Sequence, residues 1–286
     1  MSELDVSVAG VESYQRKSWM GDLRSSIGNK KLWQLSLPGT HNAGMDRYAS
    51  YSNWYITCQY DTFWYHLESG IRVLDIRLKY FAGYSNTGLR FRHTHTQESG
   101  RTLSVMMNAV REFLQKNPTE IVILDIHELL TQRGTPVPFQ ELHNYFVGEF
   151  GSMLIPRAAV NMTLNEIKTH YPRGGIVLAA PVGLSTLNPT LIWPQINHRW
   201  AGTDLVNTSQ LYRHIESVMR NPPAAGALWS MSATCYSIWG VQNIKSELNS
   251  WYSIGSEWQR KSNIINVDFF NDSEIVRNCI ESNLRK

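Results

Sequence analysis

Short, near-continuous apolar runs recur along the chain, and several of them end in an ionisable residue. The runs are 32–37, 71–78, 89–93, 121–126, 176–180, a weaker 191–193, 227–232 and 264–270. A strand covered on both faces has no solvent side and reads as unbroken apolar sequence, whereas a half-exposed strand alternates. Between the runs, helical spacing takes over. Val105, Met106, Ala109, Val110, Phe113 and Leu114 share one face before the stop at Asn117-Pro118, and Leu211, Ile215, Val218 and Met219 share another before Asn221-Pro222-Pro223. Ser273 is placed to cap a third helix carrying Ile275, Val276, Cys279 and Ile280. Strands alternating with helices predict an α/β fold with a parallel sheet, and about eight strands favour a closed barrel over an open sheet.

The chain has 286 residues and no internal repeat, low-complexity tract or Ser/Gly-rich linker. Barrels of this kind run to about 250 residues as one domain, so a single domain over 1–286 is expected. The net charge of +3, without a lysine or arginine run, suits an anionic substrate or membrane surface and is too weak for nucleic acid. Cys58, Cys235 and Cys279 are odd in number and far apart, which excludes a zinc-finger spacing and a disulfide framework. Met1–Gln15 carries Glu3, Asp5 and Glu12 and no apolar stretch of signal-peptide length, and nothing approaches the ~18 apolar residues of a membrane span. The expectation is a monomer that is secreted or released by a non-classical route, with a cytoplasmic location as the alternative.

His41 follows the first run, Asp75 and Arg77 close the second, and His93 and His95 the third. Asp125 and His127 close the fourth, and Asp268 lies in the last. The carboxyl ends of barrel strands share one rim, so these groups would converge there. A lone histidine or aspartate at a strand end is usually a hydrogen-bonded loop residue; five strands ending this way point to a site. Two imidazoles can act as base and acid near neutral pH, a carboxylate on the far ring nitrogen fixes the tautomer, and a guanidinium matches two phosphate oxygens. Such a set suits transfer at phosphorus. No Gly-rich phosphate loop is present, which argues against kinases and NTPases.

Leu35-Ser36-Leu37-Pro38-Gly39-Thr40-His41-Asn42 resembles the first motif of the phosphatidylinositol-specific phospholipase C catalytic domain, of the bacterial-type X-domain family, with Trp19-Met20 similar to its entry segment. Gly70-Ile71-Arg72-Val73-Leu74-Asp75-Ile76-Arg77, Phe91-Arg92-His93-Thr94 and Glu120-Ile121-Val122-Ile123-Leu124-Asp125-Ile126 resemble its next three. The likeness spans roughly residues 18 to 130 and thins afterwards to Asn266-Val267-Asp268.

The resemblance implies a (β/α)8 TIM-type barrel, irregular or incompletely closed. It also implies a phosphatidylinositol diacylglycerol-lyase yielding inositol 1,2-cyclic phosphate and diacylglycerol. His41 would be the base, His93 the acid and Arg77 the stabiliser of the phosphorane, with Asp268 orienting His41 and Asp75 bracing Arg77. Asn42, His95, Asp125, His127, Trp229 and Tyr236 are expected at the substrate. Asn42 departs from the metal-free branch, which has an acidic residue there. In the calcium-dependent branch an Asn there resembles a metal ligand, which makes Asn42 and Asp75 the alternative calcium ligands. Arg77 conflicts with that alternative, because a guanidinium ~4 Å from a divalent ion is repelled by several kcal/mol even at an effective dielectric of ~20. No metal or cofactor is therefore expected.

Family members place rim aromatics in bilayers, and aromatic residues favour the interface. Trp54 and Trp193 are the expected membrane contacts, the substrate being phosphatidylinositol in membranes. Most of the ten tryptophans and thirteen tyrosines are expected to pack inside. The rival readings are a glycerophosphodiester phosphodiesterase, which expects a His-Arg-Gly turn where this chain has His41-Asn42-Ala43, and a catalytically inactive lipid-binding module, which needs no acid–base pair.

Overall fold

The computed structural model describes residues 13–50 and 53–286; the reading of Met1–Gln15 lies, through residue 12, outside the described residues. Eight parallel strands form the central curled sheet. They are β1 (Leu37–Thr40), β2 (Val73–Tyr80), β5 (Val122–Thr131), β6 (Ile176–Ala180), β7 (Trp193–Pro194), β8 (Asn197–Arg199), β9 (Trp229–Ser232) and β12 (Ile264–Val267). Their order is β7-β6-β5-β2-β1-β12-β9-β8, so the first and last strands of the chain pair in the middle. β1, β6, β9 and β12 are buried throughout, which is why they carry no alternation. The expected barrel is present, incompletely closed. β7 pairs with β6 and β8 with β9, while β7 and β8 are linked through Gln195 and Ile196 rather than by ladder bonds.

Two sequence expectations change. The run 32–37 begins as a 3₁₀ turn, Leu32–Gln34, and only its end enters β1. The run 89–93 is not a barrel strand. It leads into β3 (Phe91–His95), which pairs antiparallel with β2 and forms a hairpin with β4 (Gln97–Thr102). β3 therefore runs opposite to β2: Phe91 lies beside Tyr80 and His93 beside Leu78. Continuing that register brings His95 back to the level of Ile76, beside Arg77.

The helices follow their apolar faces. Leu103–Lys116 buries Met106, Met107, Val110, Phe113 and Leu114 against the sheet and leaves Val105 exposed. Thr208–Arg220 is capped by Asn207, whose side chain accepts from the Gln210 amide, and buries Leu211, Ile215 and Met219. The last helix, Ile275–Ser282, follows Glu274, and the Ser273 hydroxyl accepts from the Ile275 amide at 3.5 Å, where the cap is expected. No described helix is long and apolar enough to cross a membrane. Trp193 is a correction. Only 3% exposed, it donates its indole N–H to the Ile155 carbonyl at 2.9 Å and is a core residue, not a membrane contact.

Candidate active site

β1 delivers His41 at its carboxyl end, and its neighbour β12 delivers Asp268. His41 Nδ1 and Asp268 Oδ1 lie 2.8 Å apart and both side chains are buried. The other ring nitrogen, Nε2, faces two donors: Arg77 Nη2 at 3.2 Å and Asn42 Nδ2 at 3.1 Å. Two donors at one nitrogen require a lone pair there, so the proton of neutral His41 sits on Nδ1 and is donated to Asp268. The second amide hydrogen of Asn42 reaches His95 Nδ1 at 3.0 Å. His95 thereby carries its proton on Nε2. One carboxamide sets both tautomers.

Arg77 Nη2 is 3.5 Å from Asp75 Oδ2. The Tyr236 hydroxyl lies 2.9 Å from His41 Nδ1 and 3.1 Å from Nε2, and the rings of His41, His95 and Tyr236 are each about 6 Å apart, with centroid separations of 6.0, 5.8 and 5.9 Å. His41, Arg77, Asp268, Asp75, Asn42, His95 and Tyr236 are thus brought together as expected. Asp125 stands in register with Asp75 on the neighbouring strand, with both carboxyl oxygens buried and unpartnered. The His127 ring packs at 4.4 Å on His198, whose Nδ1 is 2.6 Å from Ser230 Oγ.

Two expected site residues lie elsewhere. His93 is buried with its ring 4.9 Å from that of Phe63 and directly against Gly44, where an added methyl group would stand 2.1 Å from the imidazole. Its Nε2 has no hydrogen-bond partner. Two strand residues span about 7 Å, so His93 and His95 share a face but not a depth. His95, not His93, meets His41. Trp229 packs in the hydrophobic core rather than at the site. Conversely, His198 and Cys58 adjoin the site without having been expected there. His198 falls in the stretch 184–202, whose two- and three-residue strands are too short to show a period.

Backbone strain marks the same three positions. Among the described residues, the non-glycine residues with positive φ are Asn42 (44°), Thr96 (60°) and Phe269 (47°), and they directly follow His41, His95 and Asp268. Each left-handed residue costs on the order of 1–2 kcal/mol. Such strain persists where surrounding contacts over-determine it, and it gathers at functional sites.

Burial, then the Arg77 charge, lowers His41 to about 3. Burial, with His41 and Arg77, lowers His95 to about 4. Burial pushes the Asp75 carboxyl up, but Arg77, His127, His41 and His198 together outweigh it and hold the group below its ordinary value. Asp125 is raised well above the usual range by burial and by Asp75. Burial likewise raises Asp268, while its 2.8 Å contact makes it the acceptor for His41 Nδ1–H.

Burial also lowers His66, His93 and His198 to about 3. A histidine whose folded pKa is depressed contributes stability that is complete above its ordinary value of 6.5. That contribution is lost as pH falls toward 3–4, because only the unfolded chain takes up the proton. Each such group contributes at most about 1.4 kcal/mol per pH unit, and these five act in the same direction. The raised carboxyls of Asp125 and Asp268 act the other way, but they are two against five, so the melting temperature is expected to fall between pH 6.5 and 4. A melting temperature flat over that range, followed by scanning calorimetry, would show that these imidazoles are not held neutral.

Residues 36–171 match the family model described as phosphatidylinositol-specific phospholipase C, X domain. The chain is 24% identical over 233 residues to the human PI-PLC X domain-containing protein 1, covering 71% of this chain and 68% of that protein. It is 26% identical over 230 residues to the mouse protein of the same name, covering 70% and 63%. Among solved structures, a variant of the Staphylococcus aureus phosphatidylinositol-specific phospholipase C superposes with a TM-score of 0.68 at 15% identity, covering 94% of this chain and 97% of that one. The Listeria monocytogenes enzyme superposes at 0.67 and 19%, covering 94% and 99%. At these identities the structural likeness is one of fold. The family model thus matches just under half of the chain, residues 36–171 of 286, and the barrel shares the fold of the bacterial phosphatidylinositol-specific phospholipases C.

Proposed function

We propose that this protein cleaves phosphatidylinositol to diacylglycerol and inositol 1,2-cyclic phosphate, with His41 as base and His95 as acid. The observation that carries the reading is the Asn42 amide, which spans the two imidazoles while the Arg77 guanidinium stands on His41 Nε2. His41 Nε2 takes the proton of the inositol 2-hydroxyl as the oxygen attacks phosphorus. Arg77 binds the equatorial oxygens as charge grows there. Asp268 steadies the imidazolium that forms. An anionic phosphodiester entering beside His95 raises its pKa and makes it a competent acid for the departing diacylglycerol oxygen. Asp125, His127 and His198 lie beside Asp75 and are proposed to meet the ring hydroxyls. Tyr236 is proposed to hold the His41 ring.

Catalysis is proposed to need no metal. Asp75, one of the alternative calcium ligands, already faces Arg77. Among the described residues, the grouping of three His, Cys, Asp or Glu donors near enough to share an ion is His41, Cys58 and Asp268, which leaves Asp75 out. Calcium takes six to eight oxygen ligands, and this surrounding does not fit it.

Contact with the bilayer is proposed at the rim. Trp54 (60% exposed) stacks on Tyr55 (44%) at 3.6 Å, and Gly240 packs on the Tyr55 backbone. That glycine belongs to the hairpin β10 (Cys235–Ser237) and β11 (Gly240–Gln242), whose turn exposes Ile238 (71%) and Trp239 (65%). Four apolar side chains together make an interfacial patch.

Head-group release from vesicles of phosphatidylinositol or phosphatidylcholine, and from soluble glycerophosphoinositol, with and without chelator, tests the reading. The expected result is release from phosphatidylinositol alone, unchanged by chelator, and weakened on vesicles in the Trp54→Ala/Trp239→Ala double variant. Release from glycerophosphoinositol alone would favour the phosphodiesterase, and activity restored by calcium would overturn metal independence.

A further inference from the structure

Cys58 adjoins the catalytic groups, yet no step above uses it. Three separate segments are stitched together around it. Phe269 N–H donates to the Cys58 carbonyl at 2.9 Å, and His41 N–H to the Val267 carbonyl at 3.1 Å. The neighbouring Gln59 side chain donates to the carbonyls of both His41 and Val267, at 2.8 and 2.9 Å. As a result, donor atoms of His41, Cys58 and Asp268 all lie within 4.8 Å of one another, each side chain buried. Two further observations point to a ligand. Asp268 Oδ2 is buried without a hydrogen-bond partner, and the Tyr236 hydroxyl lies 2.9 Å from His41 Nδ1, completing a fourth corner. The thiol makes a long contact, 3.5 Å, to the Ile56 carbonyl, and it also faces the side chains of Asp268 and Asn42.

We propose that His41 Nδ1, Cys58 Sγ and Asp268, with the Tyr236 hydroxyl as fourth donor, form a binding site for a thiophilic divalent ion such as zinc, and that filling it switches the enzyme off. Imidazole, thiolate and carboxylate form a donor set for zinc rather than for calcium or magnesium. Bond lengths of about 2.0–2.3 Å to a tetrahedral ion set neighbouring ligand atoms roughly 3.3–3.7 Å apart. The His41–Asp268 contact must open slightly and the reach to sulfur must close slightly. Binding is balanced in protons. Starting from the ionised Asp268 that accepts the Nδ1 hydrogen, the metal displaces the thiol proton to solvent and the Nδ1 proton of His41 moves to Nε2, so one proton leaves per ion. A coordinated thiol is deprotonated outright. Inhibition follows from the tautomer: with its proton on Nε2, His41 has no lone pair for the substrate hydroxyl, and the donors Arg77 and Asn42 then face an N–H.

Inhibition rests on the catalytic reading of His41; binding does not, and the experiment separates them. Zinc alone is titrated into the metal-free full chain by equilibrium dialysis, with cobalt absorption recorded in parallel. The expected result is one ion per chain, one proton released, a thiolate-to-cobalt charge-transfer band, and loss of activity reversed by chelator. Loss of an outer hydrogen-bond partner alone weakens metal sites by about 10–100-fold, so Cys58→Ala and Cys58→Ser should each weaken binding by at least that much. Activity in both variants should persist and resist zinc. Unsaturable binding, no charge-transfer band in the unaltered protein, or equal affinity in folded Cys58 variants would overturn the site. Zinc bound through Cys58 in a protein that cleaves no lipid would leave the site standing and refute the phospholipase reading instead.

Discussion

Replacing His95 with alanine is expected to reduce phosphatidylinositol cleavage roughly 10²–10⁴-fold, the usual contribution of one general acid, whereas His93→Ala keeps near-normal turnover in the fraction that folds. The two residues separate function from packing. His95 shares the Asn42 amide with His41 and is followed by the strained Thr96. His93 fills the space that Gly44 leaves beside Phe63. Truncating His93 opens a cavity, so its cost is expected in stability, on the order of 1–3 kcal/mol. Steady-state rates and thermal unfolding of both variants decide the matter. If His93→Ala were folded but inactive and His95→Ala active, the acid would be two residues earlier than proposed here.

The largest stability effect is expected from Arg72→Met. Arg72 and Glu120 are fully buried and joined by Nε at 2.9 Å and Nη2 at 2.6 Å to one carboxylate oxygen. The same guanidinium donates to the carbonyls of Leu67, Ile71, Arg16 and Lys17, and Glu120 accepts from the amides of Met20 and Gly21. This pair ties the entry segment to β2 and to the start of β5. Removing one partner of a buried pair costs about 3–5 kcal/mol, because the other is left charged in an apolar surrounding. Against a typical total of about 5–15 kcal/mol, that is a large share. Chemical denaturation is expected to give Arg72→Met a loss of that size, and Arg72→Met/Glu120→Leu a loss smaller than the sum of the two single changes. A single variant within 1 kcal/mol of the unaltered protein would mean that water reaches the pair.

Much of this architecture is legible in the residues themselves. Strands buried on both faces announce themselves as unbroken apolar runs, and a polar group closing such a run has nowhere to point but the rim. His41, Asp75, Arg77 and Asp268 could be found that way. The histidine two residues too early could not be corrected from sequence. Phe91–His95 looks like one more barrel strand, yet it folds back antiparallel on β2, and the residue at site level is then further along the chain than a parallel strand would put it. Trp193 misleads for a related reason: its two-residue strand gives no period to say which side is inward. The cluster around Cys58 draws on positions 41, 58, 236 and 268, a proximity that no spacing rule encodes.

The link between Pro194 and Asn197 gives the cylinder an unusual seam. Everywhere else around the wall, adjacent staves are fastened by ladders of amide bonds; here a covalent thread does the fastening. Cleaving the peptide between Gln195 and Ile196 would sever no inter-strand bond, yet it would turn one continuous wall into a scroll with two free margins.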